Sequence, residues 1–226
     1  MAEVVRSVIS GRLMVNIGLA VVLGTGAVAC GEGGKVEEEK FVGAAKVCDG
    51  LFGEALAGKV ELVTSDTEFF GTGTKGLENV VTALKRGYES GRSWATGAAL
   101  CELAPKGGGV GDGAALKFSM YAPQDIKDPA TDPGSESYAM GKRAEARRTG
   151  ASLYLDCASP RLKGSSVDPL RIYASFSRGR SDAPDTKETH DANLEILHAG
   201  ALVVVKELEC EKNAGLPESV VLVPRE

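Results

Sequence analysis

Five cysteines and two histidines carry most of the covalent and acid–base chemistry open to this 226-residue chain. Cys48, Cys101, Cys157 and Cys210 lie far apart, so no pair has the C-x-x-C spacing that grips zinc. An even number of widely spaced cysteines in an exported chain reads as two disulfides, with metal binding or buried thiols as the alternatives. Four cysteines allow three pairings. The pairing expected here joins Cys101 to Cys157, both on expected strands, and Cys48 to Cys210, tying the first helix to the end of the last. His190 and His198 occur without an H-E-x-x-H, which excludes a zinc-protease helix. His198, among Leu197, Ala199 and Ala201, is expected to pack with a hydrogen bond, whereas His190 beside Asp191 is expected to be exposed.

Other constellations point away from catalysis. Neither G-x-S-x-G nor S-x-x-K occurs, which removes two readable serine-nucleophile signatures. Gly71-Thr72-Gly73-Thr74-Lys75-Gly76 matches G-x-G-x-x-G ahead of a helix. A dinucleotide site would also need a buried parallel strand before it, and Thr64-Ser65-Asp66-Thr67-Glu68 is too polar for one. A loop leading into a helix is the better reading. Asp125, Asp128 and Asp132 lack the alternating ligand spacing of a calcium loop, and Pro129 and Pro133 interrupt them, so turns are expected. No catalytic residue, cofactor or metal site is assigned.

Cys30 is a separate case. Arg6 and Arg12 precede an apolar run from Leu13 through Leu23, which ends in small residues at Gly24-Thr25-Gly26-Ala27-Val28-Ala29-Cys30. A basic start, an apolar middle and a small-residue end describe a signal peptide over residues 1–29. Ala27-Val28-Ala29-Cys30 resembles a bacterial lipobox, in which the cysteine sulfur takes a diacylglyceryl group, with Ala27 standing where Leu or Val is usual. An ordinary signal peptide and a retained anchor helix are the alternatives, but as a helix the seventeen residues 13–29 at ~1.5 Å reach about 26 Å against a hydrocarbon core of roughly 30 Å. Residues 30–40 then read as the lipidated terminus and a flexible tether, rich in glycine and charge and holding one aliphatic side chain, Val36. The expected location is the extracytoplasmic face of a cell membrane, with the membrane itself as partner through Cys30.

Charge sets further bounds. The chain carries a net −5, and loss of Glu3, Arg6 and Arg12 with residues 1–29 leaves −6. Such an acidic balance gives no global attraction to nucleic acid. The run from Lys142 to Arg148 is the local exception; it reads as a solvated loop or helix face, with contact to anionic lipid headgroups or wall polymers as the alternative.

Residues 41–226 are long enough for one domain with its own core. Helices are expected over 41–57, 78–88 and 188–209. In the second, Leu77, Val80, Val81, Leu84 and Tyr88 share a face, and in the last Leu194, Leu197, Ala201, Val205 and Leu208 do. Strands are expected over 95–103, 114–121, 152–158 and 170–177, the first two joined by a glycine-dense turn. The order implies an α+β domain: a four-stranded antiparallel sheet, helices on one face and a long C-terminal helix.

Together the lipobox, Cys48-Asp49-Gly50-Leu51, Leu153-Tyr154-Leu155-Asp156-Cys157, Asn193-Leu194-Glu195-Ile196-Leu197-His198 and Lys206-Glu207-Leu208-Glu209-Cys210 resemble small uncharacterised lipoproteins of actinomycetes. The resemblance implies a lipid-anchored, four-cysteine extracytoplasmic domain and brings no reaction with it. The functional expectation is a binding or structural module of the envelope with a protein or envelope-polymer partner. An envelope enzyme with an unrecognised site, or a regulatory partner of a membrane complex, are the alternatives.

Overall fold

Burial with a period of two organises the molecule. A computed structural model describes residues 41–226, apart from 72–74, 110, 127–133, 181 and 226. In order come β1 (Phe41–Gly43), α1 (Val47–Gly50), α2 (Gly53–Thr64), β2 (Glu68–Phe70), α3 (Gly76–Glu89), β3 (Ala95–Leu103) and β4 (Ala114–Met120). They are followed by β5 (Glu136–Tyr138), β6 (Arg143–Arg147), β7 (Gly150–Cys157), β8 (Leu170–Arg178) and α4 (Lys187–Glu207). Single 3-10 turns sit at Pro123–Ile126 and Glu211–Gly215. The class is α+β, as expected, but the main sheet has six antiparallel strands in the order β3-β4-β8-β7-β6-β5, and β1 and β2 form a separate pair.

The two extra main-sheet strands are β5, at the end of the proline-containing stretch 122–137 that reads as loop, and β6, from the basic run. In β6, Ala144 and Ala146 are buried while Arg143, Glu145 and Arg147 take the other face. Alanine supplies so weak an apolar signal that the alternation reads as mere charge. The helix expected over 41–57 also breaks up: Phe41 pairs with Phe70 in a strand, and Cys48 and Asp49 have φ of 54° and 58°, so α1 is a distorted single turn. Gly50 ends it and Gly53 opens α2, both at positive φ.

One face of the sheet is the core. Leu116 and Phe118 of β4, Ile172 and Phe176 of β8, and Leu153 and Leu155 of β7 are all essentially inaccessible. Their register partners lie opposite one another, so the apolar rows run unbroken across the strands. α3 covers β3 and β4, α4 lies over β6, β7 and β8, and α2 packs on α4. The helices thus share one face. Leu194, Leu197, Ala201, Val205 and Leu208 are fully buried, as their spacing predicts. Thr186 caps α4 by accepting the Thr189 amide. Gly200 lets the helix approach the sheet closely, because a Cβ there would lie 2.6 Å from Leu116 Cδ2.

The disulfides join Cys48 to Cys101 and Cys157 to Cys210, with Cα separations of 5.6 and 5.0 Å. The expected pairing is therefore corrected. β4 and β8 stand between β3 and β7, about 14 Å across at about 4.8 Å per strand, and the register sets Cys101 level with Phe176 but Cys157 level with Leu170, roughly 20 Å further along; the two are far beyond bridging range. Cys48 instead reaches the edge strand β3, and Cys210, just past α4, meets the end of β7.

Arg178 closes the far end of β8. Its Nη1 donates to the Val63 carbonyl (2.7 Å), in the last turn of α2, and its Nε to the Arg148 carbonyl (2.6 Å). A cation placed on orphan carbonyls at a helix C-terminus is favourable, although burial pushes the guanidinium pKa down. With α4 seated this deeply, Leu197→Ala is expected to cost about 2–5 kcal/mol, read from urea unfolding of the oxidised protein. A loss below about 0.5 kcal/mol, the scale of a surface change, would show that the stripe is not core.

Candidate functional site

The opposite face of the sheet has no helix on it among the described residues. Its side chains come from the residues that alternate with the core. One row across β4, β8, β7 and β6 reads Ser119, Tyr173, Tyr154, Arg143; the next reads Lys117, Ser175, Ser152, Glu145. An antiparallel sheet ordinarily leaves one polar face to water, so exposure alone says little. What distinguishes this face is a concavity of about 410 Å³, lined by Ser152, Ser175, Ser177, Tyr154, Tyr173, Arg143, Glu145, Arg147, Asp125 and Ser135.

Aromatic rings wall one side of it. Tyr154 and Tyr173 lie 5.0 Å apart between centroids, and Tyr121 meets Tyr154 edge-on at 5.2 Å. The Tyr121 hydroxyl donates to Asp156 (2.5 Å), whose second oxygen takes Lys142 at 3.0 Å. Burial first, and then that hydrogen bond, push the Tyr121 pKa far up. Burial also raises Tyr154 and Tyr173, so both present an O–H at neutral pH. Arg143 is fixed by Glu145, with Nε and Nη2 at 2.8 and 2.6 Å from one carboxylate oxygen, and its guanidinium carbon sits 5.8 Å from the Tyr154 centroid.

Among the described residues, no protein group hydrogen-bonds the hydroxyls of Ser152, Ser175, Ser177, Tyr154 or Tyr173. The Ser135 hydroxyl is buried and likewise unpartnered. Each hydroxyl can donate once and accept twice. Charges in the lining offset one another, Arg143 and Arg147 against Glu145 and Asp125. The arrangement suits a ligand rich in hydroxyl groups and close to neutral. The carboxylate opposite Ser152, that of Glu145, is engaged by Arg143, and both histidines are on α4, across the sheet.

The structure distributes the other candidate residues elsewhere. His190 is buried rather than exposed, because the first turn of α4 tucks beneath β5. Its Nε2 lies 2.7 Å from Asp185 and its Nδ1 3.6 Å from Glu136. The Tyr138 hydroxyl is 2.7 Å from both Glu136 and Asp191, and Lys187 binds Asp191, giving a polar cluster that no local spacing could reveal. Asp125 accepts the Ala122 amide, a turn role as expected; Asp128 and Asp132 lie outside the described residues, as does Cys30. The glycine motif leads into α3, and the strand before it, β2, is antiparallel to β1 rather than part of a parallel unit. No group of metal-ligating side chains is found among the described residues.

A wider depression of about 1070 Å³ borders the Cys48–Cys101 bridge, the start of α3 and Val203. Its polar members Asp49, Lys75, Asn79 and Glu102 are all exposed and solvated, so volume alone does not make it the better site. No protein-family model, curated protein or solved structure matches this chain. Function must therefore be argued from the geometry.

His198 keeps the packing role expected of it, buried with Nε2 2.9 Å from the Pro217 carbonyl. Burial lowers its pKa from the ordinary 6.5, opposed by that carbonyl and by Glu195 and Glu218. The unfolded chain therefore binds the extra proton, and the stability from burying the neutral ring is lost as pH falls below 6.5. The urea midpoint should drop between about pH 7.5 and about pH 5.5, and drop less in His198→Gln. Equal pH dependence in both proteins would refute this role.

Proposed function

We propose that this chain is a lipid-anchored binding module of the cell envelope, held through Cys30, whose uncovered sheet face takes a polyhydroxylated ligand of the kind an envelope saccharide presents. The observation that carries the reading is the concavity between Tyr154 and Tyr173 and the serines of β7 and β8. Its volume falls within the range of small-ligand sites, roughly 300–1,000 Å³. Hydroxyls without protein partners can be satisfied by water or by a ligand with matching donors and acceptors. The tyrosine faces add flat apolar area next to polar tips. A saccharide meets both demands at once, and the near balance of charge disfavours strongly ionic competitors.

The compartment has support of its own. Two disulfides staple the domain, and such bonds persist in oxidising surroundings outside the cytoplasm. Among the described residues no helix is long and apolar enough to cross a membrane; attachment is assigned to the acyl chains on Cys30 from the lipobox resemblance of Ala27-Val28-Ala29-Cys30. Two chains supply the double signal needed for stable anchoring, with each buried methylene adding about 0.8 kcal/mol. The module is read as binding its ligand because Glu145, the carboxylate opposite Ser152, is held by Arg143, and both histidines lie on α4 across the sheet.

Mass spectrometry of the N-terminal peptide from the native membrane fraction should find Cys30 first in the chain and acylated. An N-terminus at Met1, or a free thiol on Cys30, contradicts the anchor. For the ligand, amide shifts are followed by NMR during titration with soluble envelope glycan fragments. Shifts should cluster on Ser152, Tyr154, Tyr173 and Ser175, and Tyr173→Ala should weaken binding by about tenfold, the loss of roughly 1.4 kcal/mol. Shifts confined to the depression beside Cys48–Cys101 would move the site, and saturating glycan without any shift would dismiss this ligand class.

A further inference from the structure

We propose that one end of the sheet, carrying Trp94, rests on an anionic lipid surface. Two connections close this end: residues 90–94, between α3 and β3, and residues 158–169, between β7 and β8. They wall a cavity of about 460 Å³ to which Arg92, Arg161, Lys163 and Arg171 contribute. Only Glu89 and Asp168 oppose them in the lining. Within the lining four cations thus meet two carboxylates, in a chain of net charge −5; Glu207 and Glu209, just outside it, offset Arg161.

The cations differ in how far they are already engaged. Arg171 pairs with Asp168 at 2.9 Å, yet its Nε is buried without a hydrogen-bond partner. Arg161 donates to the Glu207 carbonyl at 2.7 Å and lies near the carboxylates of Glu207 and Glu209. Arg92 and Lys163 are exposed and have no ion pair among the described residues. These two are available to phosphate groups outside the protein.

Apolar side chains stand at the same end. Trp94 is 59% exposed and Val167 90%. A lone exposed apolar residue is ordinary; here the fold holds the second one outward. Ser159 and Ser165 hydrogen-bond each other inside the 158–169 connection, and Ser159 Oγ donates to the Leu208 carbonyl at 2.5 Å. The Tyr88 hydroxyl lies within hydrogen-bond distance of the Lys163 and Asp168 carbonyls. The loop is thus pinned to α3 and to the end of α4 while Val167 projects. Tryptophan prefers the membrane–water boundary, where its ring meets the acyl region and its N–H stays wet. Lysine and arginine beside it are drawn to anionic headgroups. Cation charge and exposed ring together specify a lipid surface rather than a free anion.

The surface is compatible with an anchor at Cys30 without depending on it. Phe41 enters the domain beside Pro105, at the other end of β3. The ten residues 31–40 extend to at most about 33–36 Å, and the nine residues of β3 to about 30 Å.

The test uses the folded unit Glu39–Glu226, in which Trp94 is the single tryptophan of the chain and hence a clean fluorescent reporter. Phosphatidylglycerol-containing vesicles should shift its emission to the blue and carry the protein down on sedimentation, and high salt should reverse both. Phosphatidylcholine vesicles should do neither. The double variant Arg92→Glu, Lys163→Glu should weaken partitioning by at least about tenfold with circular dichroism unchanged, since both residues are exposed. Trp94→Ala should also weaken sedimentation. No binding to anionic vesicles overturns the proposal. So does undiminished binding of the charge-reversed protein, or binding of inorganic phosphate without any partition to vesicles. Because the unit lacks Cys30, none of these outcomes depends on acylation, and none on the glycan reading.

Discussion

Helix α4 lies across β6, β7 and β8, and its burial decides what every strand beneath it must look like. Leu194, Leu197, Ala201 and Val205 reach no solvent, and Gly200 brings the helix down onto Leu116. A sheet pressed against such a surface has to present an apolar residue at every second position. The remaining positions then face away together, and these are the serines, tyrosines and paired charges of the uncovered face. Polar chemistry on one side is a geometric by-product of apolar packing on the other. Slipping any strand by a single residue would exchange the two sets.

The elements legible in the sequence are those with strong periodic signals. α3 and α4 show them at three- and four-residue steps, and β4, β7 and β8 alternate Leu, Ile or Phe with polar residues. β6 stayed hidden because alanine fills its buried positions, and β1, β2 and β5 because three residues establish no period. Cysteine pairing depends on strand order, which no local pattern encodes; two intervening strands were enough to redirect both bonds. The site was half legible. Tyr154, Tyr173, Ser152 and Ser175 fall opposite the core positions as alternation demands, but which face a helix leaves bare is a tertiary outcome. His190 looked exposed beside Asp191 and is buried because β5, distant in sequence, folds over it.

Electrostatics follow the same division of labour. Charges near the tyrosines are mostly committed to one another, Arg143 with Glu145 and Lys142 with Asp156, which fixes the rings without giving the concavity a strong field. At the Trp94 end the balance is deliberately uneven in effect: Arg92 and Lys163 have no internal partner among the described residues. A nearly neutral, hydroxyl-rich hollow and a cationic rim with an exposed ring would recognise different chemistry. They occupy different parts of one rigid sheet, so two contacts can coexist without a moving part between them.

The disulfides have a bearing on biogenesis. Both link consecutive cysteines, each across a sequence separation of 53, and the two loops neither nest nor overlap. A chain delivered N-terminus first to an oxidising compartment exposes Cys48 and Cys101 before Cys157 arrives. Acylation of Cys30, as proposed, withdraws the one earlier thiol from competition. Of the three possible connectivities, this is the one that oxidation in order of emergence produces directly. The protein can thus reach its native cross-links without the thiol–disulfide exchange that a disulfide isomerase would otherwise have to catalyse.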